Sequence, residues 1–302
     1  MVVLATVLLA GNCIVWDRMP EARWLIAADV ALIALVMMLG PGVIPASSPR
    51  SWFRDFYIAP VLYLFYRQAC LTARALHNGR TYDTILLEAD RWLFCVDPTR
   101  WLARYAHPLV TEVLQLAYAC FYFLFLLVAW DLLRSGKRLQ FDAFSFGVAY
   151  GFGLSYLAHW LLPSVGPRFV LHSFSGLDAE LPGLFLTPCL RAFVNWGGSI
   201  VPGTDDRVAM TQAFPDVFLS GHAMMTLALM FWSFRFSSRL RWPVLVTGSL
   251  LIASTVYLRY HYVIDVLAGG GLALFCLASE VRLYQAIQRL LAGASRHLER
   301  NA

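Results

Sequence analysis

The chain has 302 residues, of which 59% are hydrophobic and only 14% charged, and its mean hydropathy is +0.60. A soluble domain of this length needs a charged surface that these residues cannot make. The composition therefore excludes a soluble globular protein and predicts an all-α, polytopic integral membrane helical bundle, because the apolar runs are too long for barrel strands. The net charge of +5 rests on arginine, Lys137 being the only lysine; spread through short loops, it sets topology and meets anionic lipid rather than nucleic acid.

Residues 2–16 form a short apolar run without a basic start, so they read as a span rather than a signal peptide. Residues 24–44 form a clearer span, interrupted by Asp29 and closed by Pro41 and Pro45. An acidic group at that depth is either a relay or a polar contact with a neighbouring helix, and the contact is the expectation. A third span covers residues 53–71. Residues 80–107 mix Leu86, Leu87, Trp92 and Phe94 with Asp83, Glu88, Asp90, Arg91 and Asp97, which is too charged to span and reads as an amphipathic interfacial segment. Five more spans follow at 110–133, 144–162, 218–234, 242–258 and 263–283, giving about seven or eight in all. The stretch 164–215, rich in Pro, Gly and polar residues, is an extramembrane loop long enough to hold substrate-binding structure. With no repeat and no low-complexity linker, 1–302 reads as one membrane domain: N-terminal spans in 1–52, a helical core in 53–285, and a basic cytoplasmic tail in 286–302. The six cysteines contain no C-x-x-C pair; Cys95 and Cys189 lie outside the spans, and free thiols are expected.

Arginine-rich corners at 134–138 and 235–241, together with the tail, fall on one face, which the positive-inside rule makes cytoplasmic. The corner at 163–168, the start of the helix at 218 and the turn at 259–262 then meet on the opposite face. There the sequence reads Pro163-Ser-Val-Gly-Pro-Arg168, Ser220-Gly221-His222 and Arg259-Tyr-His261 with Asp265 four residues on. Positions i and i+4 share a helix face, so Asp265 can hold one imidazole nitrogen of His261 and leave the other free. Ser220 and Gly221 open a helix whose unpaired N–H groups favour anions. Two arginines, a helix N-terminus and two histidines describe a site for a tetrahedral oxyanion, foremost phosphate. In the mechanism these parts allow, His261 attacks phosphorus and becomes a phosphohistidine. His222 protonates the leaving oxygen, then deprotonates the incoming water or alcohol. Arg168, Arg259, Ser220 and Gly221 hold the equatorial oxygens. No metal and no other cofactor is expected.

His77, His107, His172 and His297 read as packing residues, His159 as a hydrogen-bond partner of a neighbouring helix, and Gly269 to Gly271 as a seam for close helix packing. Two rivals stay open. One is a metal-dependent membrane enzyme with both histidines and Asp265 as ligands; the other is a transporter or binder that holds a phosphorylated lipid without turning it over.

At GPR (166–168), SGH (220–222) and RYHYVIDV (259–266) the chain resembles the type-2 phosphatidic acid phosphatase superfamily, and most closely its inositol phosphorylceramide synthase (inositolphosphotransferase) branch and bacterial relatives. The spacing from Asp216 to Ser220-Gly221-His222 also resembles sphingomyelin synthases. The resemblance covers roughly residues 144–283, and more weakly 90–108. It implies a six-helix phosphatase-like catalytic core, no metal, a nucleophile at His261, a general acid at His222 and an orienting carboxylate at Asp265. It also implies a phosphorylated lipid as substrate, water, inositol or another alcohol as acceptor, and a bacterial plasma membrane with the site on the periplasmic, extracellular or luminal face. Departures fall among the phosphate contacts: only Gly-Pro-Arg168 stands for the usual first motif, Leu219 replaces a proline, and Thr255 replaces an arginine for which Arg259 substitutes.

Overall fold

A computed structural model describes residues 1–38 and 55–301. The predicted end of the second span (39–44, with Pro41 and Pro45) and the start of the third (53–54) lie outside the described residues. Among those described there are helices and no strands. In chain order they are α1 (Val2–Ile14), α2 (Ala22–Met38), α3 (Ile58–Leu76), α4 (Asp83–Phe94), α5 (Pro98–Ala103), α6 (Pro108–Ala119), α7 (Phe121–Arg134), α8 (Arg138–Ala158), α9 (Pro167–Val170), α10 (Leu177–Glu180), α11 (Thr187–Gly197), α12 (Asp206–Gln212), α13 (Gly221–Arg235), α14 (Arg241–Tyr257) and α15 (Val263–Asn301). The interfacial segment becomes α4 and α5, and the stretch 164–215 carries four short helices.

By length and composition one described helix can cross a membrane, α15 over Val263–Leu290. The pair α6 and α7 also qualifies if taken as one span bent by 54°. This is fewer than the seven or eight spans expected. The helices α13 and α14 have 15 and 17 residues, and at 1.5 Å per residue they measure about 22 and 26 Å, short of the ~30 Å hydrocarbon core. The expected span at 110–133 breaks at Cys120, between α6 and α7.

The central element is α13, which packs against α14, α15, α8 and α7. Met224, Met225, Leu229 and Trp232 from α13 are buried with Phe144 and Phe152 of α8, Val128 and Leu132 of α7, Leu251 of α14 and Cys276 of α15. Of the three glycines at 269–271, only Gly269 serves a close approach: a Cβ there would stand 2.6 Å from the carbonyl oxygen of Ser220, whereas Gly271 faces open space. The N-terminal hairpin joins the bundle through a polar clasp. Asn12 and Gln68 donate to Asp29 (3.0 and 2.6 Å), and Thr72 donates to Asn12 (2.7 Å). Asp29 is therefore an interhelical contact, as expected of it.

Candidate active site

Three chain corners are tied together at one end of the bundle. Helix α14 ends in a Schellman motif, with Tyr260 N–H donating to Thr255 O (3.0 Å) and Arg259 N–H to Val256 O (3.0 Å). The left-handed residue of that motif, usually glycine, is Arg259 at φ 66°, a conformation costing a side-chain-bearing residue roughly 1–2 kcal/mol. Its carbonyl accepts from Arg168 N–H at 3.1 Å, and Asp265 O accepts from Ser220 N–H at 3.3 Å. Gly166, at φ 99°, makes the turn that admits this crossing; a Cβ there would meet the carbonyl oxygen of Tyr260 at 2.5 Å.

Helix α4 supplies the clamps. Asp83 accepts from Val165 N–H, Gly166 N–H (2.8 Å) and Tyr262 O–H (3.1 Å). Asp90 caps α15 from outside, accepting from Val263 N–H (3.0 Å) and Ile264 N–H (2.7 Å). Burial pushes the Asp90 carboxyl up from its ordinary pKa, and those two N–H groups oppose the rise. Sequence reasoning missed both aspartates. Their spacing of seven on one helix, which puts them on a common face, was the available signal.

Around this frame, His261 Nδ1 lies 3.0 Å from Asp265 Oδ1, and Asp265 Oδ2 accepts from Tyr262 N–H at 3.0 Å. An ionised carboxylate only accepts, so Nδ1 carries the proton and Nε2 presents its lone pair. That Nε2 is 3.4 Å from His222 Nδ1. His222 stacks on Tyr118 (4.6 Å between centroids), Tyr118 on Tyr260 (4.4 Å), and the guanidinium of Arg168 lies 4.8 Å from the Tyr260 centroid. Ser220 Oγ caps α13 by accepting from Ala223 N–H at 3.2 Å, and Gly221 sits against Ser155.

The two arginines have different surroundings. Arg168 is 8% exposed, and among the described residues its side-chain partners are neutral: Asn195 Oδ1 at 3.0 Å and the rings of Phe169, Phe174 and Tyr260. Its Nε has no hydrogen-bond partner among the described residues. Arg259 is 1% exposed and pairs with Glu180 of α10. Beside that pair, burial and the nearby Arg259 charge push the pKa of His172 down to about 4.

A cavity of about 500 Å³ opens off the site. His222, His261, Arg168, Tyr118, Tyr260 and Asp216 line one end; Phe141, Phe144 and Asp55 line the other. Arg259, Ser220, Gly221 and Asp265 stand behind this wall rather than on it. Asp216 accepts from Tyr66 O–H at 2.5 Å. The remaining histidines make packing contacts: His77 with Tyr82 and Trp160, His107 with Leu109 N–H, and His159 with Phe218 O at 3.0 Å. Among the described residues no three His, Cys, Asp or Glu side chains are grouped to hold a metal, and Asp265 has both oxygens engaged.

A family model described as the PAP2 superfamily matches residues 84–279. No curated protein matches the chain, and no solved structure does. The matched region is well over half of the sequence and contains every corner of the site, so the chain belongs to the PAP2 (type-2 phosphatidic acid phosphatase) superfamily.

Proposed function

We propose that the protein is an integral-membrane lipid phosphatase or phospholipid/sphingolipid head-group phosphotransferase working through a phosphohistidine. The observation that carries this is a buried guanidinium that has no carboxylate partner among the described residues, on the same cavity wall as a carboxylate-oriented histidine pair. Buried charges are paired in the working state. Arg168 is thus the group that a phosphate oxygen satisfies, and its planar fork suits a bidentate contact.

His261 Nε2 attacks phosphorus in line with the leaving oxygen, which takes its proton from His222; water or an alcohol then takes the phosphoryl group, with His222 as base. Asp265 stabilises the imidazolium. Arg259 contributes through its carbonyl, which fixes Arg168, while Ser220 and Gly221 bring the α13 N-terminus to the phosphate. The inositolphosphotransferase-like resemblance makes a polyol acceptor part of this reading.

The same reading takes the bundle as polytopic, crossing the bilayer about seven or eight times, with the shorter helices completed by their flanking corners. Outward-facing Leu116, Phe123, Leu127, Trp242 and Val246 support an apolar belt around it. The basic corners then face the cytoplasm and the histidines the periplasm or its equivalent.

The test is to incubate purified protein with a panel of phospholipids and candidate alcohols, with and without chelator, and to analyse all products. Metal-independent release or transfer of a phosphoryl-containing head group, lost in His261→Ala, is the expected result. Activity lost in chelator and restored by one specific metal would contradict it, as would lipid binding without turnover.

A further inference from the structure

The stretch 182–196 was expected to lie outside the membrane, yet its surface is unlike that of a water-facing loop. Its exposed residues include Leu184, Phe185, Leu186, Phe193 and Trp196, and the rest are Pro, Ala and Cys, with no charge among them. Phe185 is 88% exposed and Trp196 66%. The segment's one charged side chain, Arg191, is turned inward, donating to Leu181 O at 3.0 Å and pairing with Asp178. Glu112 of α6 fixes the segment in this pose, accepting N–H groups of Leu184, Phe185, Leu186 and Thr187. A contiguous apolar surface held outward this firmly marks a partner.

The same residues rim the cavity. Four of its lining side chains are also large exposed hydrophobics: Tyr122 and Leu126 of α7, and Phe193 and Trp196 of α11. They mark where the cavity opens; α6 packs against α11 and meets α7, and both carry further exposed apolar residues, Leu116, Phe123 and Leu127. From there the apolar wall runs along α8 from Phe152 to Phe141, about 16 Å at the helical rise.

We propose that residues 184–197 are sunk into the hydrocarbon boundary of the bilayer, and that a lipid chain slides from the bilayer into the cavity sideways, between α11 and α7. The inference rests on the lipid-phosphate reading for the identity of the head group, but not on the chemistry at the histidines. The further exposed apolar residues of α6, which packs against α11, and of α7 favour lipid as the occupant over a second protein, and Trp196 suits the depth of the headgroup boundary.

Two glycines allow a test that spares the fold. Gly197 lines the doorway and Gly271 lies on the outer face of α15; a Cβ at either meets nothing within 4 Å. Single copies of the full chain in nanodiscs are given phosphatidic acid carrying a mid-chain nitroxide. Wild type and Gly271→Trp should both show an immobilised spectral component, and Gly197→Trp should reduce it at least ~5-fold. With the six native cysteines replaced, a bimane on Phe185→Cys should be quenched by lipids brominated near the top of the acyl chain, and one on Arg207→Cys, in the polar part of the loop, should not. An immobilised component that is absent from wild type, or equally sensitive to both tryptophans, would overturn the doorway. A bimane at 185 untouched by the brominated lipid would overturn the embedding, including the case in which another protein covers the patch. Neither readout needs turnover, so an error about phosphoryl transfer would leave both intact.

Discussion

Arg168 and Arg259 illustrate how little residue type says without direction. Both are buried, both leave Nε without a partner, and they are joined through a backbone hydrogen bond. The left-handed conformation of Arg259 sends its side chain toward Glu180, whereas Arg168 lies against Tyr260 on the cavity wall. Arg168→Ala should lower kcat/KM by about 10²–10³, the loss typical of one preorganised oxyanion donor, and Arg168→Lys should recover only part because the fork is gone. Arg259→Ala should act mainly on stability, read by thermal unfolding. His172 gives a pH signature. Its pKa falls from 6.5 to about 4 on folding, so the unfolded chain binds the proton more readily. Stability should therefore fall as pH drops from about 6.5 to 4, and His172→Gln should flatten that limb of the unfolding curve.

At the level of helices, the contacts that aim the site were only partly legible. That His222, His261 and Asp265 would meet follows from spacing: an i,i+4 pair at one helix start and a Ser-Gly-His at another. The corner carrying Arg168 was legible because proline ends a helix. The Tyr118–Tyr260 stack was not, since an aromatic in an apolar helix carries no sign of which neighbour it will face. The role of α4 was hidden because charges on an amphipathic helix ordinarily mean solvent, and here Asp83 and Asp90 turn inward to cap another element's N–H groups. Asp83→Ala strands three donors and should destabilise the protein by about 1–3 kcal/mol, with loss of activity, because it frees the Gly166 corner. Gly269→Ala forces its methyl against the Ser220 carbonyl; activity should drop as the start of α13 shifts, while Gly271→Ala should be silent. Equal effects of the two alanines would remove the seam.

Over the whole molecule, the site corners and the basic corners lie at opposite ends of α13. Lys137 Nζ donates to Phe236 O (3.0 Å) and Ser237 O (2.7 Å), binding the two basic corners to each other. Composition foresaw a helical protein. The spans read from hydropathy outnumber the described helices that qualify by length and composition, because hydropathy registers neither the break at Cys120 nor how short α13 and α14 are. In intact cells, with the six native cysteines replaced, an impermeant thiol reagent should label Arg207→Cys and spare Arg239→Cys; the reverse pattern would invert the topology.

The central claim, a histidine nucleophile at 261 served by an acid at 222, is most directly tested with His222→Ala and an aryl phosphate. A nitrophenolate leaves without a proton, so the acid is dispensable for the first step and needed for the second, where it activates the acceptor. The account predicts a rapid burst of nitrophenol, slow turnover after it, and an acid-labile phosphohistidine trapped at His261. A burst from His261→Ala with phosphate on His222 would reverse the roles, and a chain that is never phosphorylated would contradict the double displacement altogether.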